Sequence, residues 1–208
     1  MHDERFSFRP VTNCNWADLV TLFEGRGGPK HCWCTVWRKK PPTIRTADKT
    51  ERRELQKAVL HEDVRHGRPI GILAYAADKP VAWCSIAPRN CFRPLGGVPE
   101  ARGESERVWS LVCFFISSPY RRMGLKRELL RAAIKTARDF GATAVEAYPA
   151  DQDSPSYGFM GRVEFFKSEN FEILGRVGSR RRVARLEIAE SPIDTEPSCS
   201  SDGGKVDE

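Results

Sequence analysis

No run of about 18 apolar residues occurs in the chain, so no segment reads as a membrane-spanning helix. No charged-then-apolar leader opens it either, and the expectation is a cytoplasmic protein that contacts no membrane. Cysteine usage argues against a disulfide framework. The seven cysteines are an odd number, and Cys84 and Cys113 lie in apolar strand-like runs where a reduced thiol behaves as a small hydrophobe. Histidine is scarce, and His61 and His66 fall in the charged half of a helical stretch, where a solvated role is expected. One Cys-x-Cys stands beside a histidine, His31-Cys32-Trp33-Cys34, but the second well-spaced pair of a structural zinc site is missing, and no metal is expected. There is no internal repeat. Residues 190–208 lack apolar periodicity, are rich in Ser, Pro, Gly, Asp and Glu, and read as a disordered tail, leaving 1–189 as one domain.

What is present suits a single globular unit: 208 residues, 40% hydrophobic and 30% charged. A net charge of +6 favours polyanions or a highly phosphorylated ligand. The chain is organised around residues 108–140. Val108 to Ile116 is an apolar run rich in β-branched and aromatic residues, as in a strand covered on both faces, and Ser117-Ser118-Pro119 ends it. From Leu125, helical spacing collects Leu129, Leu130, Ala132, Ala133, Ala137 and Phe140 on one side and most charges on the other. Lys126 breaks that pattern by pointing into the apolar stripe, where an ammonium calls for an anionic partner. The start of such a helix offers unpaired N–H groups and a positive dipole end to an anion. Arg121 and Arg122 add charge there, and Gly124 lets the backbone come close.

Elsewhere, Phe6 to Val11 reads as a first strand and Trp16 to Phe23 as a helix capped by Asn13 or Asn15. Asp48 and Glu51 form a capping-box pattern before a helix with Leu55, Ala58 and Val59 as its stripe and Gly67 as its end. Ile70 to Ala76 and Val81 to Ala87 read as a hairpin. Arg89 to Arg107 is a long polar connection of the kind that covers a site. Further elements are a strand at Ala144 to Tyr148, a short helix within Gly161 to Asn170 with Asn170 as a left-handed cap, and strands at Phe171 to Leu174 and Arg181 to Ile188.

The strand, the turn Arg121-Arg122-Met123-Gly124-Leu125-Lys126 and the amphipathic helix together resemble the acetyl-CoA-binding motif of the GNAT acetyltransferase superfamily, written Q/R-x-x-G-x-G/A. Five of its six places fit or are free, and Lys126 stands where Gly or Ala is usual. VAWCSIAP resembles the family's preceding strand, and FFKSENF its closing aromatic-x-x-x-Gly-Phe helix, with Asn170 in the place of Gly. The resemblance implies an α/β fold: a single-domain mixed, mostly antiparallel sheet of six or seven strands with a splayed central parallel pair flanked by helices. It implies transfer of an acetyl group from acetyl-CoA to a primary amine by direct attack on the thioester. Arg121, Arg122, Met123, Gly124, Leu125 and Lys126 would hold the cofactor, Lys126 by an ion pair with its pyrophosphate, and the backbone of Phe114, Phe115 and Ile116 would face the thioester oxygen.

The family's usual tyrosine falls at Phe166, which cannot donate a proton, so either Tyr157, ranked first, or Tyr148 substitutes from nearby, or no side-chain acid is used. Glu146 is the leading candidate base, with Glu104, Glu106 and a water as alternatives. Trp33 and Trp37 serve either as packing mass or as an aromatic wall of the acceptor pocket. Cys113 or Cys84 could carry an acetyl group, although no histidine pairs with either. Partners would be a small-molecule or peptide amine, with a homodimer left open. Two other readings stand beside this one. One is a nucleic-acid-binding module using Arg180, Arg181, Arg182, Arg185 and the basic helix face from Arg127 to Arg138. The other is an acyl-CoA binder without turnover.

Overall fold

A computed structural model describes residues 5–45, 47–97 and 107–188. The expected disordered tail at 190–208, Glu104, Glu106 and most of the second half of the 89–107 connection lie outside these residues. A seven-stranded sheet runs in the order β1-β2-β3-β4-β5-β7-β6. Its strands are β1 Ser7–Pro10, β2 Ile72–Ala76, β3 Lys79–Pro88, β4 Val108–Ile116, β5 Ala144–Ala147, β6 Glu172–Val177 and β7 Arg181–Glu187. Every neighbouring pair is antiparallel except β4 and β5, the pair that the helix between them makes parallel.

Helix α3, Leu125–Asp139, packs one face of the sheet with Leu125, Leu129, Leu130, Ala133 and Ala137 buried. The short α4, Val163–Lys167, puts Phe166 into the same core. Helices α1, Trp16–Glu24, and α2, Lys49–Arg65, cover the other face through Leu19, Leu22, Phe23, Leu60 and Val64. Val108 to Phe114 is buried throughout, as a strand covered on both faces should be.

Three local readings shift. The buried stripe of α2 is Gln56, Leu60 and Val64, one position beyond much of the expected one, because the helix meets the sheet through its second half. The helix expected within 161–170 contracts to Val163–Lys167, since Gly161 (φ +92°) starts and Asn170 (φ +64°) ends the segment in left-handed conformations. Strand β6 runs on through Gly175 to Val177, carried by its pairing with β7 rather than by its own propensity.

Helix α2 opens on Asp48, whose carboxylate accepts from the N–H groups of Thr50 (2.8 Å) and Glu51 (2.9 Å). Asp48→Ala is expected to cost about 1 kcal/mol of unfolding free energy in urea titration, the usual worth of such a cap. A loss of only a few tenths would mean that tertiary contacts alone hold this end.

Candidate active site

The sheet opens at its centre. Parallel pairing of β4 with β5 covers Val108 to Leu111 against Ala144 to Ala147 and stops there, while β4 continues to Ile116 paired with β3 alone. The β3–β4 register passes from Ser85↔Cys113 to Ile86↔Leu111, skipping Val112. One extra residue bends a strand and leaves two successive side chains on one face. Val112 and Cys113 accordingly both join the core under α1 and α2, and Phe114 returns to the α3 side. Past the bulge, the edge of β4 that faced β5 borders a gap, which is where Phe114, Phe115 and Ile116 lie.

The turn into α3 stands at the end of that strand. Arg121 and Arg122 are exposed, and Arg121 Nε donates to the carbonyl of Ile116 at 2.9 Å. Arg122 (φ +64°) and Gly124 (φ +81°) both adopt left-handed backbone, with Gly124 preceding the first helical residue. A Cβ on Gly124 would meet nothing nearer than Glu128 Oε1 at 4.0 Å, so glycine is required here by backbone conformation, and the space beside it is open. Leu125 is buried against the sheet and Met123 is exposed at the rim.

Lys126 turns inward, as its place in the apolar stripe indicated, but meets aromatic faces and not a carboxylate. Its Nζ lies 4.2 Å from the ring centroid of Phe165 and 4.9 Å from that of Phe114. A Cβ on Gly161 would come within 3.2 Å of it. Ring quadrupoles supply only part of the solvation that an ammonium loses on burial. Desolvation, with Arg162 nearby adding to it, pulls the amine down to about 8. Phe166 is enclosed by Phe165 (5.2 Å) and Phe171 (5.1 Å) and carries no proton for chemistry.

On the opposite face, Glu146 is completely buried. It stands between Ser110 and Arg185 in the sheet register, and residue i+2 on the same strand, Tyr148, shares its face. Arg89 and Arg185 each pair with its carboxylate at 3.2 Å. The Tyr148 hydroxyl donates to it at 2.9 Å and lies 3.0 Å from Ser110 Oγ. Burial and the Glu146 charge push the Tyr148 phenol up, so its proton stays in this network. A Cβ on Gly97 would come 1.9 Å from Glu146 Oε2, so the first part of the 89–107 connection lies directly over the carboxylate. The sequence singled out Glu146 but not its partners; their arginines are distant in sequence, and only the i, i+2 relation to Tyr148 was legible there.

Tyr157 (φ +63°) starts a 3-10 turn, Gly158–Met160, that packs on β4. Its ring lies 5.9 Å from Trp37, and Arg181 stacks over both, 4.3 Å from Trp37 and 5.6 Å from Tyr157. Glu146 and Tyr157 thus share the α1/α2 face. Trp37 belongs to this group, whereas Trp33 is fully enclosed beside Phe23 (5.2 Å) and Trp16 (6.0 Å), so it takes the packing role. His61, expected in solvent, stacks on Trp16 at 4.5 Å.

Cys34 Sγ lies 3.1 Å from Cys113 Sγ. The hydrogen bond to Cys113 and burial push the Cys34 thiol up, and burial does the same to Cys84. Neither is a thiolate nucleophile at neutral pH. Among the described residues no group of three or more His, Cys, Asp or Glu side chains could hold a metal ion, and no helix is long and apolar enough to cross a membrane. Part of the basic surface is paired within the chain. Arg127 and Arg131 pair with Glu169, Lys135 with Asp139, and Arg176 and Arg182 with Asp151. A phosphate-binding stripe would leave such side chains for its ligand.

The sequence model of the GNAT acetyltransferase family matches residues 33–165. No curated relative matches by sequence. Among solved structures, PaiA N-acetyltransferase from Thermoplasma acidophilum in complex with coenzyme A superposes with a TM-score of 0.53 at 15% identity, covering 88% of this chain and 99% of its own. YncA from Salmonella typhimurium, with its cofactor acetyl-CoA, gives 0.55 at 15% identity over 90% of this chain and 96% of its own. An acetyltransferase from Thermus thermophilus gives 0.52 at 18% identity over 90% and 100%. These likenesses establish the fold.

Glu146→Gln leaves two guanidinium groups facing a neutral amide in a buried site and is expected to cost roughly 3–5 kcal/mol of stability. Retention of wild-type stability would show that the charge is dispensable to the fold. Lys126→Met removes a charge that the folded state disfavours. In the unfolded chain the lysine titrates near 10.5, so wild-type stability rises with pH from about 8 to about 10.5 as the folded state releases its proton first. The variant should therefore be more stable at pH 7, by roughly 1–3 kcal/mol, with the difference shrinking toward pH 10. A difference independent of pH would contradict the burial of the charge.

Proposed function

The chain belongs to the GNAT acetyltransferase family, and on that premise we propose that it moves an acetyl group from acetyl-CoA to a primary amine by direct attack on the thioester. The observation that carries this reading is the open turn at the start of α3 set against the gap where β4 leaves β5. When bound, acetyl-CoA supplies an acyl group already activated as a thioester. The residues fit such a ligand. Arg121, Arg122 and the N–H groups of the turn from Met123 to Lys126 would hold its pyrophosphate, with the open space at Gly124 admitting it. On the β4 edge the N–H groups of Phe114 and Ile116 would face the oxygen on which negative charge develops, while that of Phe115 points to β3.

Lys126 places its ammonium within the aromatic lining and answers any anion that reaches it. The amine must be neutral to attack, so a proton must leave it first. Glu146 was the leading candidate for that base. Its two ion pairs and the Tyr148 hydrogen bond favour a positioning role, in which the carboxylate fixes Tyr148 and anchors the connection that crosses it, and the ammonium's proton passes to water. Tyr157, at a turn packed on β4, is the side chain we assign to protonate the departing thiolate. The acceptor would arrive over the face that carries Trp37 and Tyr157, opposite α3.

Acetyl-CoA at about 100 times its dissociation constant should stabilise the protein by roughly 2.7 kcal/mol, read as a rise in Tm. Arg122→Gln should weaken that binding about tenfold, and Gly124→Trp should abolish it. A folded protein whose Tm is unmoved by either acetyl-CoA or CoA would rule out the reading.

A further inference from the structure

A pocket of about 540 Å³ opens between the segment after Trp37, the first half of α2 and the connection after β3. Arg38, Lys39, Lys40, Arg52 and Arg93 line it together with Gln56, and no carboxylate among the described residues does. Like charges gathered in one concavity repel, and the fold would normally place an acidic side chain among them. Asp63 reaches one of these cations, Arg38 Nη1 at 3.6 Å, but holds Arg68 more closely at 2.8 Å, and Arg38 Nη2 donates to the carbonyl of Ile70 at 2.6 Å. Arg52 spends one N–H on the carbonyl of Ala47 at 2.8 Å.

The lining is also not merely solvated. Arg38 is only 3% exposed, and its Nε is buried without a hydrogen-bond partner. A buried donor of this kind costs stability unless something arrives to use it. Burial, with Arg93 and Arg52 beside it, holds Lys40 below its ordinary range.

Arg93 joins this pocket to the acceptor face. Its guanidinium stacks over Trp37 at 4.4 Å, on the ring that also carries Arg181 at 4.3 Å, and Arg181 Nη1 is itself buried without a partner. From Trp37 the chain of contacts runs to Tyr157 and the turn that packs on β4. Pocket, arginine pair and gap therefore lie along one face, away from α3.

We infer that the acceptor carries an anionic group, a carboxylate or a phosphate, in addition to its amine, and that this pocket receives that group. Arg93 and Arg181 guide the intervening part past Trp37. The inference rests on the acetyl-transfer reading for the identity of the ligand as acceptor, while the anion site itself can be tested without turnover. Guanidinium forks and a desolvated lysine bind either oxyanion through charge-assisted hydrogen bonds, so the source is decided by experiment.

Inorganic phosphate and succinate are titrated separately into the full chain at constant ionic strength, with chloride as reference, and Tm is followed. One of the two should raise Tm by several degrees above chloride in the wild type. Lys40→Met and Arg52→Gln, each checked for native circular dichroism, should lose that rise while keeping the response to acetyl-CoA. A rise with phosphate alone assigns a phosphorylated acceptor, and a rise with succinate alone a carboxylate. No rise over chloride, or an equal rise in wild type and both variants, overturns the inference. In turnover assays with matched amines, the anionic member of a pair should have a kcat/KM about tenfold above its neutral counterpart, an advantage lost in Arg93→Met. A neutral amine preferred over its anionic counterpart overturns it as well. Failure of acetyl-CoA to shift Tm refutes the acetyl-transfer reading and leaves the anion result standing.

Discussion

The single extra residue at Val112 governs this molecule. Up to Leu111, β4 is held on both edges, by β3 on one side and β5 on the other. A bulge at that point turns β4 while β5 ends at Ala147, and the sheet can no longer close between them. A gap inside a sheet is costly, because it strips backbone groups of their ladder partners in an otherwise buried strand. Here the cost is localised at one end of one strand, where the gap is lined by backbone on one side and by the 3-10 turn Gly158–Met160 on the other.

The two faces of the sheet acquire different chemistry around the gap. On the α3 side an amphipathic helix begins at a glycine in left-handed conformation, presenting N–H groups beside exposed arginines. On the α1/α2 side the core is aromatic and its polar groups are tightly coupled. Glu146 and Tyr148 are braced by arginines from two distant segments, one of them in a connection laid across the sheet. That arrangement favours rigidity, since the carboxylate oxygens are already engaged by two guanidinium groups and a phenol. Lys126 is the reverse case: a charge enclosed by rings whose desolvation pulls the amine down to about 8.

Much of this was readable in the chain. The run from Val108 to Ile116, the turn to Gly124 and the stripe from Leu125 to Ala137 identify strand, turn and helix from apolar periodicity and one glycine, because those signals are local. The inward direction of Lys126 followed from helical spacing alone. Its partners did not: Phe114 comes from the strand before the helix and Phe165 from a helix far beyond it. In the same way, Trp33 and Trp37 look equivalent four residues apart, and only packing against Phe23 and Trp16 separates the enclosed one from the one that meets the arginines.

The order of elements, the parallel central pair, the turn suited to an anion and the family to which these point are each written in spacings a few residues long. Where β4 and β5 part, which carboxylate is already committed, what surrounds Lys126, and the convergence of Arg38, Lys40, Arg52 and Arg93 on one pocket emerge only on folding. Those outcomes depend on contacts between residues tens of positions apart, and burial, pairing and repulsion act through distance in space, for which separation along the chain is no guide.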